Sequence, residues 1–356
     1  MVFANPGRAE IAAGRGEILT RMSRFLVCLL ILASASWAQS ASPSPPLPSP
    51  PATQAPDVAQ PPSAQSPTEQ STGDQSPGFV FKKEVEEVVL HATVVDDQNH
   101  LVVGLARNNF EVYEDGKLQE VTSFRKERVP VALGILIDNS GSMLPKRAKV
   151  NEAAMQLVDA SQQEYRIFVV NFGEGAFLDQ DYTPDVGKLK AALQRVETRG
   201  STALYDAVIA AADHLNQTSL QKRILLVVTD GRDNASEATL QDVLHKLQSK
   251  NGPVVYVIAL EQNERRDDNR QTLRTISEQT GGTAFFPASL DEVHSIASTI
   301  SRDIRSQYVI GYRSSNPHAP GSYHSILVRA FDGSTRLRVA TRSGYYSGGA
   351  GSREPR

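Results

Sequence analysis

The chain has 356 residues, with 37 Lys and Arg against 40 Asp and Glu and a formal net charge of −3. A balance this close to neutral excludes the basic excess on which nucleic-acid binding rests. The length allows two or three folded units at roughly 100–200 residues each.

The first segment with a distinct character is "FLVCLLILA", residues 25–33, which follows Arg21 and Arg24 and ends in "ASASWAQ". A charged start, a short apolar run and small residues at Ser36 and Ala38 predict a signal peptide over residues 1–38, cleaved after Ala38. The run is shorter than the span of about 20 residues that a membrane helix needs. An uncleaved anchor is the alternative, and Met22 is an alternative start. Cys28 is the one cysteine and lies inside this run. A mature chain would therefore carry no thiol, no disulfide and no Cys-based metal site. Residues 39–78 hold eleven of the 20 prolines and no Lys or Arg. Such a stretch buries too little apolar surface to offset its ordering entropy, so a flexible tether is expected, with a Pro-rich docking ligand as the alternative.

Residues 79–129 read as the N-terminal part of a β-module. "VEEVVLHATVVDD" alternates and is rich in β-branched residues, "DDQNH" signals a turn, and "LVVGL" follows as a strand. "NFEVYEDGKLQEVTSF" predicts two strands around Asp115-Gly116, the residue pair of a type I′ hairpin.

From 130 to 305 strand and helix alternate. "VALGILI" (131–137) is a continuous apolar run, as expected of a central parallel strand covered on both faces. Helical spacing marks 145–161, 186–196, 202–217, 238–250, 269–281 and 290–307, and the intervening strands are 165–173, 222–230, 253–260 and 283–287. The last helix sets Val293, Ile296, Ile300 and Ile304 on one stripe. Repeated β-α units imply an α/β fold, a doubly wound, mostly parallel sheet. Residues 306–347 return to strands, and 348–356 form a polar tail. One antiparallel β-module built from both ends, with the α/β domain inserted between its halves, is the economical arrangement. Two separate caps are the alternative.

In an open α/β sheet, ligands bind beyond the carboxyl ends of the strands. Asp138, Ser140 and Ser142 of "DNSGS" lie there, Asp230 of "VVTDG" lies at the same edge, and Thr202 of "RGSTALYDAV" stands at a loop-to-helix junction between them. Two carboxylates and three hydroxyls are hard oxygen donors that suit Mg²⁺ or Mn²⁺. No His or Cys belongs to the set, which argues against zinc. Neutral hydroxyls leave the cation incompletely neutralised and ready to accept a carboxylate from a partner.

These residues resemble the metal-ion-dependent adhesion site of the von Willebrand factor type A domain over about 130–305. "DNSGS" matches the family's Asp-x-Ser-x-Ser, Thr202 its loop threonine and Asp230 its second aspartate. The flanks "GLARNNFEVYEDGKLQEV" and "YVIGYRS" are similar to secreted bacterial proteins related to that family. The resemblance implies a Rossmann-like sheet with one short antiparallel edge strand and a bound Mg²⁺ or Mn²⁺. It implies a non-catalytic role toward a protein partner presenting an acidic side chain, with neither nucleic acid nor a small-molecule cofactor. It also implies that ligand binding couples to a shift of the last helix. Asp206, Asn139 and Asp233 are expected around the site. Asp206 orders the threonine loop or complements a helix N-terminus, Asn139 points away from the metal, and Asp233, with Asn234, rims the site or forms a solvated turn. The histidines show no paired spacing and read as surface or satisfied core residues. Export to the periplasm, cell envelope or exterior follows from the signal segment. A scaffold whose metal site is stabilising or vestigial is the alternative function. A hydrolase is the remaining one, although no Gly-x-Ser-x-Gly elbow or partnered histidine is present.

Overall fold

The computed structural model describes residues 87–126, 129–160, 165–195, 200–260, 267–315 and 319–348. The signal segment, the Pro-rich linker and the C-terminal tail lie outside the described residues.

The apolar run at 131–137 forms strand β5 (Val131–Asp138), and all eight of its residues are buried. It is paired on both sides in parallel, with β6 (Tyr165–Phe172) and β8 (Lys222–Thr229). The six-stranded sheet continues through β9 (Val254–Ala259) to the short β10 (Ala284–Phe285), both parallel. Side chains alternate between the faces of a strand, and each face of this sheet has its own cover. Leu133, Ile135 and Ile137 pack with Val150 and Leu157 of α1 (Arg147–Ala160), Leu189 of α2 (Val186–Leu193) and Ile300 of α6 (Glu292–Ser306). Ala132 and Leu136 pack with Val208 of α3 (Leu204–Asn216), Val243 of α4 (Leu240–Leu247) and Leu273 of α5 (Asp267–Glu278). The α6 stripe holds, with Val293, Ile300 and Ile304 buried and Ile296 packed against the same core.

The sheet ends on the side of β6 in an antiparallel edge strand, β7 (Ala176–Thr183). Its sequence, AFLDQDYT, has no apolar alternation, and only Thr183 is fully buried. The sequence pattern therefore carries no mark of it; pairing to β6 decides its conformation.

The flanking strands join into one antiparallel sheet. Strand β1 (Glu87–Val95) pairs with β11 (Tyr308–Arg313) and β13 (Thr335–Ala340), and β2 (Phe110–Glu114) pairs with β12 (Tyr323–Asp332). Val88, Leu90, Val112, Ile310, Tyr312 and Val328 share its core. The Asp115-Gly116 turn between β2 and β3 (Lys117–Gln119) has positive φ at both residues, 50° and 77°, as a type I′ turn requires. Three details differ from the sequence expectation. Beyond the turn the chain forms two strands, because β4 (Val121–Arg125) leaves the hairpin and pairs with β11. "LVVGL" supplies only a single bridge, Val95 to Leu101, since Asp96 accepts the N–H groups of Gln98 and His100 and turns the chain there. The last stretch breaks into β13 and β14 (Gly344–Tyr346).

This sheet packs on the side of the α/β unit where the helices end and the strands begin. Arg342, 6% exposed, donates to the carbonyls of Leu247 (3.3 Å), Ser249 (3.0 Å) and Lys250 (2.6 Å) just after α4. The Tyr346 N–H donates to the Gln248 carbonyl at 2.8 Å, and that of Ser343 to the Gln279 carbonyl at 3.2 Å. Among the described residues, no strand of this sheet pairs at the opposite, carboxyl edge of the parallel strands.

Lys222 opens β8, is 4% exposed and donates from Nζ to the Ile304 carbonyl. Burial lowers its pKa from 10.5 to about 7. Between these two values the unfolded chain holds a proton that the folded chain does not, so stability rises with pH across the window. Comparing Lys222→Met with the parent by urea unfolding tests this. The parent should gain on the order of 1–3 kcal/mol on the variant between pH 6.5 and pH 10. Parallel pH profiles would contradict the assignment.

Candidate metal centre

The site starts from Asp138, the final residue of β5, whose side chain is fully buried. Two groups hold its carboxylate. The Ser140 N–H donates to Oδ1 at 2.7 Å, and the Thr229 hydroxyl, at the end of the neighbouring β8, donates to Oδ2 at 2.6 Å. Burial pushes this carboxyl above the usual carboxylate range; the Thr229 and Ser140 hydrogen bonds oppose the shift, and the nearby Asp230 charge adds to it.

From Asp138 the chain turns into a short 3-10 helix, Gly141–Lys146. The turn brings the Ser140 and Ser142 hydroxyl oxygens to 3.2 Å of each other, and Ser142 donates to Asp230 Oδ1 at 2.8 Å. Thr202 is buried at the head of α3. It is clasped to the loop after β8: its N–H donates to Asn234 Oδ1 at 2.8 Å, and the Asn234 N–H donates to the Thr202 carbonyl at 3.0 Å. Gly231 lies between these parts. A Cβ there would stand 3.5 Å from Thr202 Oγ1 and 3.9 Å from Asp138 Oδ2, in van der Waals contact with both. All five expected ligand residues are thus gathered at one edge. Four of them line a cleft of about 900 Å³ together with Tyr205, Arg232 and Asn269, and the buried Asp138 lies behind that lining.

The surrounding residues each follow one of the readings the sequence offered: Asn139 points away from the hydroxyls, Asp206 stands in the first turn of α3, and Asp233 and Asn234 line the cleft. Asp206 does not order the threonine loop directly; its carboxylate accepts the N–H groups of Glu237 and Ala238 at 2.9 and 3.0 Å and so shapes the loop after β8. Asp233 is not a freely solvated turn residue, because its carboxylate accepts the Tyr205 N–H at 2.9 Å at the start of α3. Asn139 faces a separate cavity of about 140 Å³ beside Asn171 and Phe177, away from the hydroxyls. Its Oδ1 is buried without a hydrogen-bond partner among the described residues.

Sequence reasoning missed Thr229 and Lys146. Thr229 immediately precedes the recognised Asp230, and a polar residue at that edge was the available signal. Lys146 had none: after Pro145, a lysine in a helical pattern normally reads as a surface residue. Its side chain is 8% exposed, pairs with Asp230 Oδ2, and donates to the Leu260 carbonyl at 3.1 Å.

The donor set fits a small hard cation. Oxygens at neighbouring corners of an octahedron with bonds near 2.1 Å lie about 3.0 Å apart, and the two hydroxyl-centred separations here are 3.2 and 2.8 Å. The described lining of the cleft has no histidine.

A parallel sheet whose central strand ends in Asp-x-Ser-x-Ser, with a threonine loop and a second aspartate at the same edge, defines a class of α/β binding domain. Residues 133–299 match the family model of the von Willebrand factor type A domain. No curated protein matches the sequence. Solved structures with a similar fold include the PilB minor pilin of Streptococcus sanguinis, 13% identical with a TM-score of 0.41. That match spans 51% of this chain and 63% of the pilin, less than two thirds of its length. A von Willebrand factor type A protein from Catenulispora acidiphila is 14% identical, with a TM-score of 0.44 over 76% of each chain. Proximal thread matrix protein 1 of the mussel byssus, solved with a zinc-occupied MIDAS motif, is 18% identical, with a TM-score of 0.44 over 55% of this chain and 50% of its own.

A second polar cluster, Glu114, Asp115 and His324, lies in the antiparallel sheet with its ligand-type atoms within 4.8 Å of one another. Its groups bond to protein neighbours. Glu114 accepts from the hydroxyls of Tyr312 (2.6 Å), Tyr345 (3.1 Å) and Ser314. His324 bonds to Asp115 at 2.8 Å and to Ser322 at 2.7 Å. It is a satisfied core histidine, as expected. His91 departs from that expectation, since its Nδ1 is buried with no partner among the described residues.

Replacing Thr229 by Val keeps the shape of β8 and removes the hydroxyl that faces Asp138. The expected loss of stability is about 1–3 kcal/mol at pH 7, because a buried carboxylate loses a donor. Denaturant unfolding of the two proteins reads it.

Proposed function

We propose that this chain is an exported, non-catalytic binding protein that captures a protein partner through Mg²⁺ or Mn²⁺ held by Asp138, Ser140, Ser142, Thr202 and Asp230. One observation carries the reading: three neutral hydroxyls and the Asp230 carboxylate line a cleft that opens to solvent, and the Asp138 carboxylate is held to the same turn by the Ser140 N–H. Ser140 and Ser142 ligate directly, Thr202 completes the set, and the two aspartates act directly or through water. A divalent ion on so few charges remains electrophilic and accepts an Asp or Glu of the partner. Domains of this family commonly mediate protein–protein contacts, which supports the choice of partner class.

Two further features agree with a binding role. Ser140 has no histidine beside it among the described residues of the cleft, and a nucleophilic serine needs a base. Helix α6 ends at Ser306 and β11 starts at Tyr308, so a displacement of α6 would act on β11, which lies between β1 and the edge strand β4 of the antiparallel sheet. The signal segment at 1–38 and the linker at 39–78 supply export and reach. No helix among the described residues is long and apolar enough to cross a membrane.

Calorimetric titration of the full chain with Mg²⁺ and Mn²⁺, beside Asp138→Ala, tests the site. Saturable binding in the parent and at least ~100-fold weaker binding in the variant are expected, since the variant loses the carboxylate at the base of the cage. Equal binding by both proteins would overturn the assignment. The partner is then sought by capture from cell-envelope extracts, where retention should require metal, reverse with chelator and fail with Asp138→Ala.

A further inference from the structure

The cage already contains a cation of its own. The Lys146 ammonium is buried against Asp230 Oδ2 and the Leu260 carbonyl, while Asp230 Oδ1 takes the Ser142 hydroxyl. Arg147, the next residue, is 3% exposed. Its guanidinium, held by Asn171 Oδ1 (3.0 Å) and the Leu193 carbonyl (3.0 Å), lies in the field of Asp138 and Asp179. Consecutive residues thus place a positive charge near each of the two carboxylates. A lysine that only tied a helix to the surface would keep its ammonium in water; this one is taken out of water and points into the lining of the cleft.

We propose that Lys146 is a built-in counter-cation that sets the metal affinity and the charge of the site. The inference rests on the metal reading above. Counting only the two ligand carboxylates and Lys146, Asp138 and Asp230 give −2 and Lys146 brings the cage to −1; Arg147, near Asp138, adds the same charge with or without Lys146. A divalent ion then leaves it at +1 instead of 0. Lys146 therefore has three consequences. It keeps the ion-free cage folded, because Asp230 is paired without metal. It weakens divalent binding by like-charge repulsion across a short, poorly solvated distance. And it turns the loaded site net positive, so that the group completing the ion's coordination is an anion, a partner carboxylate in preference to a neutral hydroxyl or amide. Lys146 is a positioning and affinity-setting residue: it touches a ligand of the ion, not the ion.

The test is Mn²⁺ titration of the full chain by calorimetry, with thermal unfolding in parallel. Lys146→Met should bind Mn²⁺ at least ~10-fold more tightly than the parent. Its melting temperature should fall without metal and recover by a larger increment on adding it. Equal or weaker binding by Lys146→Met, with the parent binding normally, overturns the inference and leaves the proposed function standing. Binding by Lys146→Met alone supports the inference and overturns the proposed function for the natural chain. No binding by either overturns both. Where Lys146→Met does not fold, Asp230→Asn is compared with Asp230→Asn/Lys146→Gln, in which a neutral pair replaces the ion pair. Recovery of at least ~10-fold in the double variant over the single one supports the proposal, and no recovery overturns it.

Discussion

The buried carboxylate of Asp138 is the constraint on which this structure turns. A charge at the end of a fully apolar strand is costly unless its oxygens are bonded, and here the next turn and the next strand each supply a donor, the Ser140 N–H and the Thr229 hydroxyl. Meeting that requirement fixes the path of the chain after β5, so the Ser140 and Ser142 hydroxyls come to rest beside Asp230. The same requirement explains the fully buried Thr229. The polar cage is a consequence of ending the central strand on a carboxylate.

The architecture protects that edge by building elsewhere. The antiparallel sheet takes strands from both sides of the α/β unit in sequence and docks through Arg342, Gln248 and Tyr346 near the amino ends of the parallel strands. Among the described residues, the carboxyl ends border the cleft. The unit is tied at both ends of its sequence to one sheet, since β4, which precedes β5, and β11, which follows α6, pair with each other. A force or displacement reaching either strand is therefore shared with the other.

Electrostatics gives the cleft its character. Loop-to-loop contacts such as the Thr202–Asn234 clasp and the Asp206 bonds to Glu237 and Ala238 hold the donors in place without adding charge to the cage. The Lys146–Asp230 pair goes further: removing either partner would strand a buried charge, and the pair offsets one of the two carboxylate charges at the cleft.

The sequence by itself determined the local features: the alternation of strands and helices from β5 to α6, the turn at Asp115-Gly116, and the presence at one sheet edge of Asp138, Ser140, Ser142, Thr202 and Asp230. Those follow from periodicity, turn chemistry and the rule that loops at the carboxyl edge carry ligands, all of which act over a few residues. Only the tertiary structure decided that β7 is a strand, since its polar sequence takes that form by pairing with β6. It decided that β4 leaves the hairpin for β11, a partner more than 180 residues away. It also decided that Asp206 serves a different loop from its own and that Lys146 turns inward. The physical reason is common to these cases. Each depends on a polar group finding its partner across the fold, and a hydrogen bond or ion pair between distant residues leaves no period in the chain.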